Sequence, residues 1–250
     1  MGKQVKALVL CAGKGTRLQT EGVDLPKVMR LADGKPLLHY VLTALDFLPK
    51  EDVVLVVGYK REYIHSAYPD YPSALQAQQL GTGHAVQCAQ EHFQDLDGHV
   101  LVCCGDTPLM KKSTYQSLID LHLAQGAACT LLSAHIDQGG NYGRVIRDQA
   151  GAFHAIVEAK DCTPEEAAVS EVNTGVYVFQ AQALLEALGH LKNDNAQGEY
   201  YITDVPGYLL SKGLKVSVCD TCSETEMLGV NTVEQLQAVE TVLRKEGAHA

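Results

Sequence analysis

The chain has 250 residues, 46% hydrophobic and 20% charged, the balance of a globular protein able to bury a substantial core. Its formal net charge of −10 argues against a nucleic-acid partner, which needs a basic face, but not against a nucleotide, whose phosphates a metal ion and a few local cations neutralise. No apolar run approaches the roughly 18 residues of a membrane helix, and the first residues lack a signal-peptide pattern, so no membrane partner is expected and the expected location is cytoplasmic.

In chain order, apolar runs alternate with helical patterns. Residues 5–10 read as a buried strand, 36–47 as a helix opened by proline, and 53–57 as a second continuous apolar strand. Residues 82–93 read as a helix with Gly81-Thr82-Gly83 at its start, 100–104 as a strand ending in Gly105-Asp106, and 113–125 as a helix capped by Ser113. A strand over 129–134 follows. Such strands joined by helices imply a mostly parallel sheet covered on both faces. Residues 139–145 read as a glycine-rich turn entering a strand, and shorter strands are expected at 153–158, 171–173 and 176–179. Helices follow at 181–191 and 201–212, the latter disturbed by Pro206. A strand at 215–218 and an amphipathic helix over 232–244 complete the reading.

The eight cysteines stand mostly singly in apolar segments, as small buried hydrophobes do. Cys219 and Cys222 form a C-x-x-C without a second such pair or a nearby histidine pair, which makes a metal or redox role the minor reading.

Chemistry concentrates after the first strand, in Leu10-Cys11-Ala12-Gly13-Lys14-Gly15-Thr16-Arg17-Leu18 and the downstream Pro26-Lys27. The glycines let the backbone turn tightly and present N–H groups to a polyphosphate, while Arg17 and Lys27 supply fixed positive charge. A dinucleotide fingerprint needs a third glycine where Leu18 stands, and a P-loop needs a Gly-Lys-Ser/Thr that is missing. In open α/β sheets ligands sit at the carboxyl ends of the strands, which is where this loop and Gly105-Asp106 both fall. Taken alone, Asp106 reads equally as a turn aspartate bonding its own backbone or as an oxygen ligand for a hard cation.

The Gly-x-Gly-Thr-Arg core with its Pro-Lys is followed in order by further motifs. They are Gln76 with Gly81-Thr82-Gly83-His84, Tyr142-Gly143-Arg144, Glu158-Ala159-Lys160-Asp161, Asn173-Thr174-Gly175, Gly198-Glu199-Tyr200-Tyr201-Ile202-Thr203 and Gly229-Val230-Asn231. Over nearly the whole chain this series resembles the sugar-1-phosphate nucleotidyltransferases, and most closely the uridylyltransferase half of the bacterial bifunctional N-acetylglucosamine-1-phosphate uridylyltransferase/acetyltransferases. The resemblance implies an α/β, Rossmann-like fold: a mostly parallel mixed sheet, helices on both faces and a small sugar-binding lobe. The nucleotidyltransferase domain would span 1–231, with the nucleotide part near 1–135 and the sugar part near 136–231. Residues 232–250 would form a C-terminal helix and tail.

It further implies a Mg²⁺-dependent reaction of UTP with N-acetylglucosamine 1-phosphate to give UDP-N-acetylglucosamine, a cell-wall precursor, and pyrophosphate. Arg17 and Lys27 would be the catalytic cations, and Asp106 and Asn231 would hold Mg²⁺. Leu10, Ala12, Gly13, Gln76, Gly81, Thr82 and Gly105 would bind the nucleotide. Gly143, Glu158, Asn173, Tyr201 and Thr203 would bind the sugar. His84 is read as packing or capping, Arg144 as a structural partner of a carboxylate, and Lys14 as solvated. Segment 18–25 is longer than is typical of the family, and Cys11 stands where alanine is usual. The hexapeptide repeats of the acetyltransferase half do not occur in these 250 residues, which read either as a stand-alone uridylyltransferase without an acetyltransferase domain or as the first part of a longer bifunctional chain. Two alternatives stay open: a related pyrophosphorylase for another nucleotide or sugar 1-phosphate, and a non-catalytic nucleotide-sugar binding protein. Self-association is also left open.

Overall fold

The computed structural model describes residues 4–18, 24–137 and 139–247. The first half contains β1 (Gln4–Leu10), the small hairpin β2 (Leu31–Ala32) and β3 (Lys35–Pro36), α1 (Leu37–Ala44), β4 (Val53–Val57), α2 (Arg61–Ala67) and β5 (Ser73–Leu75). Then come α3 (Thr82–Cys88), β6 (Gly98–Cys104), α4 (Lys112–Gln125) and β7 (Cys129–His135). The second half contains β8 (Arg144–Arg147), β9 (Phe153–Val157), α5 (Pro164–Ala167), β10 (Glu171–Gln180), α6 (Ala181–Leu188), α7 (Asp204–Ser211), β11 (Val216–Cys222) and α8 (Val233–Gly247).

One sheet carries the molecule, in the order β11-β7-β10-β6-β1-β4-β5, with β8 paired to β10 and β9 to β8. β5, β4, β1 and β6 run parallel, β10 is antiparallel to both β6 and β7, and β11 is parallel to β7. This is the mostly parallel mixed sheet that the alternation of strands and helices implied. The chain moves outward from β1 through β4 to β5, then returns to the other side of β1 as β6, so strand order reverses at β1 and β6. That reversal creates a crevice at their carboxyl ends.

Every residue of β4 is buried, as expected of a strand covered on both faces. Ala7, Val9, Leu55, Leu101 and Cys103 pack on one side with Leu38 and Val41 of α1 and Tyr115 and Leu118 of α4. Their neighbours Leu8, Val54, Val56, Val100 and Val102 face the opposite side, against Val86 of α3, Leu184 of α6 and Val205 of α7. The period of two along each strand thus divides the core between two layers of helices. Val239 of α8 joins Leu18, Ala32, Leu37, Leu109 and Val230 in a third apolar cluster beside the hairpin. The C-terminal helix is therefore packed onto the hairpin that follows the Lys27–Met29 turn.

Several local expectations are corrected. The strands expected at 171–173 and 176–179 are one strand, β10, interrupted by an irregularity between Asn173 and Tyr177 where Gly175 has φ +79°. α7 begins at Asp204, not 201, which puts Pro206 in the first turn, where its missing N–H disturbs nothing. Ser113 does not cap α4: Lys111 is the N-cap and offers no side-chain bond. Instead Glu226, from a distant loop, accepts the Lys111 amide at 3.3 Å and the Thr114 hydroxyl. The helix α2, the strand β5 and the single turn α5 were not expected as such.

Candidate active site

The crevice between β1, β6 and the start of α3 is a cleft of about 240 Å³, lined by Leu10, Ala12, Gly13, Lys27, Gln76, Gly81, Thr82 and Asp106 among others. Its floor is built by backbone ties between strand ends. The Gly105 amide donates to the Leu10 carbonyl at 3.0 Å, and the Cys11 amide to the Val56 carbonyl at 2.8 Å. Gly105 lies beneath the lining, where an added Cβ would come within 2.8 Å of the Cys11 sulfur and 3.0 Å of Val28.

At one end the Lys27 ammonium forms an ion pair with Asp106 and donates to Asn231 Oδ1 at 2.9 Å. Three separate segments meet here. The short turn at Lys27–Met29 carries the lysine, the end of β6 the aspartate, and the approach to α8 the asparagine. The Val230 amide bonds the Asp106 carbonyl at 2.9 Å, and the Asn231 amide bonds Gln235 Oε1 at 2.8 Å, so the oxygens are set by backbone and helix cap. Asp106 does not spend its carboxylate on its own turn. Thr107 makes the local bond, donating to the Cys104 carbonyl at 3.0 Å.

The loop glycines differ in purpose. Gly13 has open space around it and leaves its backbone bare in the cleft. Gly15, at φ +65°, lies against the Lys27 stem: an added Cβ would fall 2.7 Å from the lysine Cβ. On the other wall Gly81, at φ +113°, is held against residue 200, whose amide donates to the Leu80 carbonyl at 2.8 Å. The Gly83 amide in turn donates to the Tyr200 carbonyl at 2.7 Å. These glycines serve a close approach of two chain segments.

The residues assigned to the sugar lie in two neighbouring cavities. One, of about 400 Å³, is lined by Glu158, Asp161, Tyr201 and Thr203 among others. The other, of about 380 Å³, is lined by Arg17, Asn141, Glu158, Ala159, Lys160 and Gln197. Glu158 belongs to both. Burial pushes its carboxyl up from the usual carboxylate range, although Thr203 Oγ1 donates to it at 3.0 Å, and Asp161 lies close enough to push in the same direction. Gly143 packs beside Glu158, and its carbonyl accepts the Asn173 amide at 2.8 Å. The Asn173 side chain donates to the Tyr177 hydroxyl at 2.7 Å and accepts from the Gly175 amide at 3.3 Å, so part of its capacity supports the irregularity in β10. The Tyr201 hydroxyl takes a bond from Gln197 at 2.9 Å.

Arg17 is exposed and lines the cavity shared with Glu158, apart from the Lys27 cluster. Segment 18–25 mostly lies outside the described residues; at its described end Asp24 accepts from the Tyr59 hydroxyl at 2.9 Å and pairs with Lys60. Lys14 Nζ stands 5.9 Å from the centre of the Tyr59 ring. Among the described residues Arg144 pairs with no carboxylate, contrary to expectation. It is buried and donates to the carbonyls of Gly139, Tyr142 and Ala167, holding the glycine-rich turn around its guanidinium. Cys219 and Cys222 are buried free thiols in β11. Sequence reasoning missed the hydrogen bond between Gln76 and His84, and the Asp24 clamp. Both join side chains that no local pattern links.

A crevice at the strand-order reversal, with bare loop backbone on one wall and a lysine and carboxylate at its end, places the chain among the Rossmann-like α/β domains that take their ligand at the switch point. Within that class the chain belongs to the MobA-like NTP transferase domain family, which it matches over residues 7–203. It is 42% identical over 240 residues to the bifunctional protein GlmU of Shouchella clausii, covering 96% of this chain and 52% of that protein. It is 41% identical over 246 residues to GlmU of Pelobacter propionicus, covering 97% and 53%. The chain thus spans about half the length of these curated relatives, in keeping with a resemblance to one half of a bifunctional enzyme. In fold it is similar to a UDP-glucose pyrophosphorylase crystallised with UDP-glucose, with TM-score 0.76, 18% identity and coverage of 98% of this chain and 100% of the other. HddC from Yersinia pseudotuberculosis, complexed with GMP-PN, gives TM-score 0.68, 18% identity and coverage of 95% and 99%. Among the described residues no helix is long and apolar enough to cross a membrane.

Proposed function

We propose that the chain joins UTP and N-acetylglucosamine 1-phosphate to give UDP-N-acetylglucosamine and pyrophosphate. The observation that carries the reading is the convergence of Lys27, Asp106 and Asn231 at a cleft that Gln76 also lines. An oxygen of the sugar phosphate attacks the α-phosphorus of UTP as the bond to the pyrophosphate oxygen breaks, so no enzyme nucleophile is required. The protein's task is positioning and neutralisation of charge. Lys27 supplies a fixed positive charge to the phosphates, and Arg17, on the sugar side, is proposed to reach the same group. Leu10, Ala12, Gly13 and Gly105 shape the nucleoside wall, and Gln76, Gly81 and Thr82 meet the base. Glu158 accepts from sugar hydroxyls, with Gly143, Asn173, Tyr201 and Thr203 around it. The proposed division of labour, nucleotide before about residue 135 and sugar from 136 to 231, accompanies this reading.

Asp106 and Asn231 present the hard oxygen donors that Mg²⁺ takes, and one cation, the Lys27 ammonium, already bonds to both. Among the described residues no three His, Cys, Asp or Glu side chains gather as a metal site, so phosphate and water would complete the ion's shell. Mg²⁺ bound there would neutralise phosphate charge, and Lys27 would compete with it for the two oxygens unless drawn to a phosphate. The resemblance to the uridylyltransferase half of the bifunctional enzymes supports the uridine and N-acetylglucosamine specificity, and a role in making cell-wall precursors in the cytoplasm is proposed with it.

A pyrophosphate-release screen of four nucleoside triphosphates against several sugar 1-phosphates tests the assignment. UTP with N-acetylglucosamine 1-phosphate should be the preferred pair; a clear preference for any other pair refutes it.

A further inference from the structure

Gln76 follows β5 directly and is almost wholly buried, yet it lines the nucleotide cleft. Its side-chain nitrogen lies 3.0 Å from the Gly81 carbonyl oxygen and 3.1 Å from His84 Nδ1. A backbone carbonyl only accepts, so the group facing Gly81 is the amide NH₂ and not the amide oxygen. That carbonyl cannot turn away: it also accepts the Ala85 amide at 3.1 Å as the first bond of α3, and Gly81 itself is pressed against residue 200. Of the two amide hydrogens, one goes to Gly81 and the second to His84. Nδ1 must then carry a lone pair, and the imidazole proton sits on Nε2, where the Cys88 sulfur lies 3.7 Å away on the next turn.

Both donors of Gln76 are thereby committed to the protein. The group left to meet a base is Oε1, which accepts only. A base that offers a ring N–H at its pairing edge, as uracil does at N3, complements this acceptor. Cytosine offers a lone pair at the same atom, and two acceptors facing each other repel. We infer that His84 is a specificity-positioning residue, locking the Gln76 amide with its oxygen toward the base and so selecting uracil over cytosine. The inference rests on the nucleotidyl-transfer reading and deepens it, because it states which edge of the base the protein tests and what holds the tester in place.

The test is the ratio of kcat/KM for UTP to that for CTP, with Mg²⁺ and N-acetylglucosamine 1-phosphate, in wild type, His84→Leu and His84→Asn. Asparagine places an acceptor oxygen near the position of Nδ1; leucine offers none. His84→Leu should lower the ratio by about fivefold or more, the fold-change of one neutral hydrogen bond, while His84→Asn should stay within about twofold of wild type. His84→Phe, a ring without an acceptor, replaces the leucine variant if that chain fails to fold, and melting curves check each protein. A purely structural role for His84 would slow both nucleotides in proportion and leave the ratio unchanged. An unchanged ratio in the folded leucine or phenylalanine variant, or an equal loss in His84→Asn, overturns the inference. A wild-type chain that releases no pyrophosphate from UTP overturns the functional reading, and the inference with it.

Discussion

Replacing Lys27 by alanine separates the chemistry from the fold. The ammonium lies at the end of the cleft with its side chain 17% exposed, bonded to an aspartate whose side chain is 14% exposed. In such partly buried surroundings the gross attraction of a close ion pair is about 4 kcal/mol, most of which desolvation offsets, so the net effect on folding should be about 1 kcal/mol. For a domain of this size that lowers the melting temperature by roughly 2–4 °C. A preorganised charge aimed at a reacting group is worth more to turnover, about 2.7–4 kcal/mol, or roughly a hundred- to a thousandfold in kcat. Removing the ammonium also frees Asp106 and Asn231, so the Mg²⁺ concentration for half-maximal rate should fall or stay constant, not rise. Steady-state pyrophosphate release at several Mg²⁺ concentrations, alongside thermal melts, measures all three quantities. Turnover within about threefold of wild type would refute the role given to Lys27, and a steep rise in the Mg²⁺ requirement would refute the competition for its oxygens.

Gly15→Ala should reduce turnover by about tenfold or more, because a Cβ at φ +65° is strained by roughly 1–2 kcal/mol and would meet the Lys27 stem at 2.7 Å. Gly13→Ala, with open space around it, should fold normally and act chiefly on the KM for UTP. Glu158→Gln should raise the KM for the sugar phosphate while raising the melting temperature at neutral pH, the direction set by burial of the ionised carboxyl. Burial raises this carboxyl's pKa, so its ionised form opposes folding above the unfolded-state pKa, an opposition that fades as pH falls through the folded value. His122, buried in α4, accepts or donates at 2.9 Å to His99 and 3.0 Å to Thr130, and burial lowers its pKa from 6.5 to about 4. Between those values the unfolded chain binds the proton and the folded chain does not. Stability should therefore fall by up to about 3 kcal/mol as pH drops from 6.5 to 4, and a His122→Asn variant should lose that part of the slope in urea titrations. A slope identical to wild type would contradict this.

The sheet was legible because its strands are continuous apolar runs, and the end of the cleft because Lys27 and Asp106 each follow a recognisable break. β10 was harder. Its irregularity at Asn173–Gly175 reads locally as a turn between two strands, and only pairing with β7 on both sides makes it one. Ser113 looked like a helix cap because the residue type fits, but the cap comes from Glu226, more than a hundred residues away. Arg144 looked like half of an ion pair; its partners are backbone carbonyls, which sequence does not advertise. The glycines of the loop and of the 81–83 turn were readable as necessary, but not as spacers for Lys27 and for residue 200. Likewise His84 lies eight residues from Gln76 with a chain turn between them, so their pairing exists only in the folded molecule.

The most direct measurement follows pyrophosphate and UDP-N-acetylglucosamine together in a reaction of the purified chain with UTP, N-acetylglucosamine 1-phosphate and Mg²⁺. Equimolar appearance of both products, abolished by omitting either substrate or chelating the metal, is the predicted result. A melting temperature raised by UTP with no product formed would contradict it, and would leave the cleft as a binding site alone.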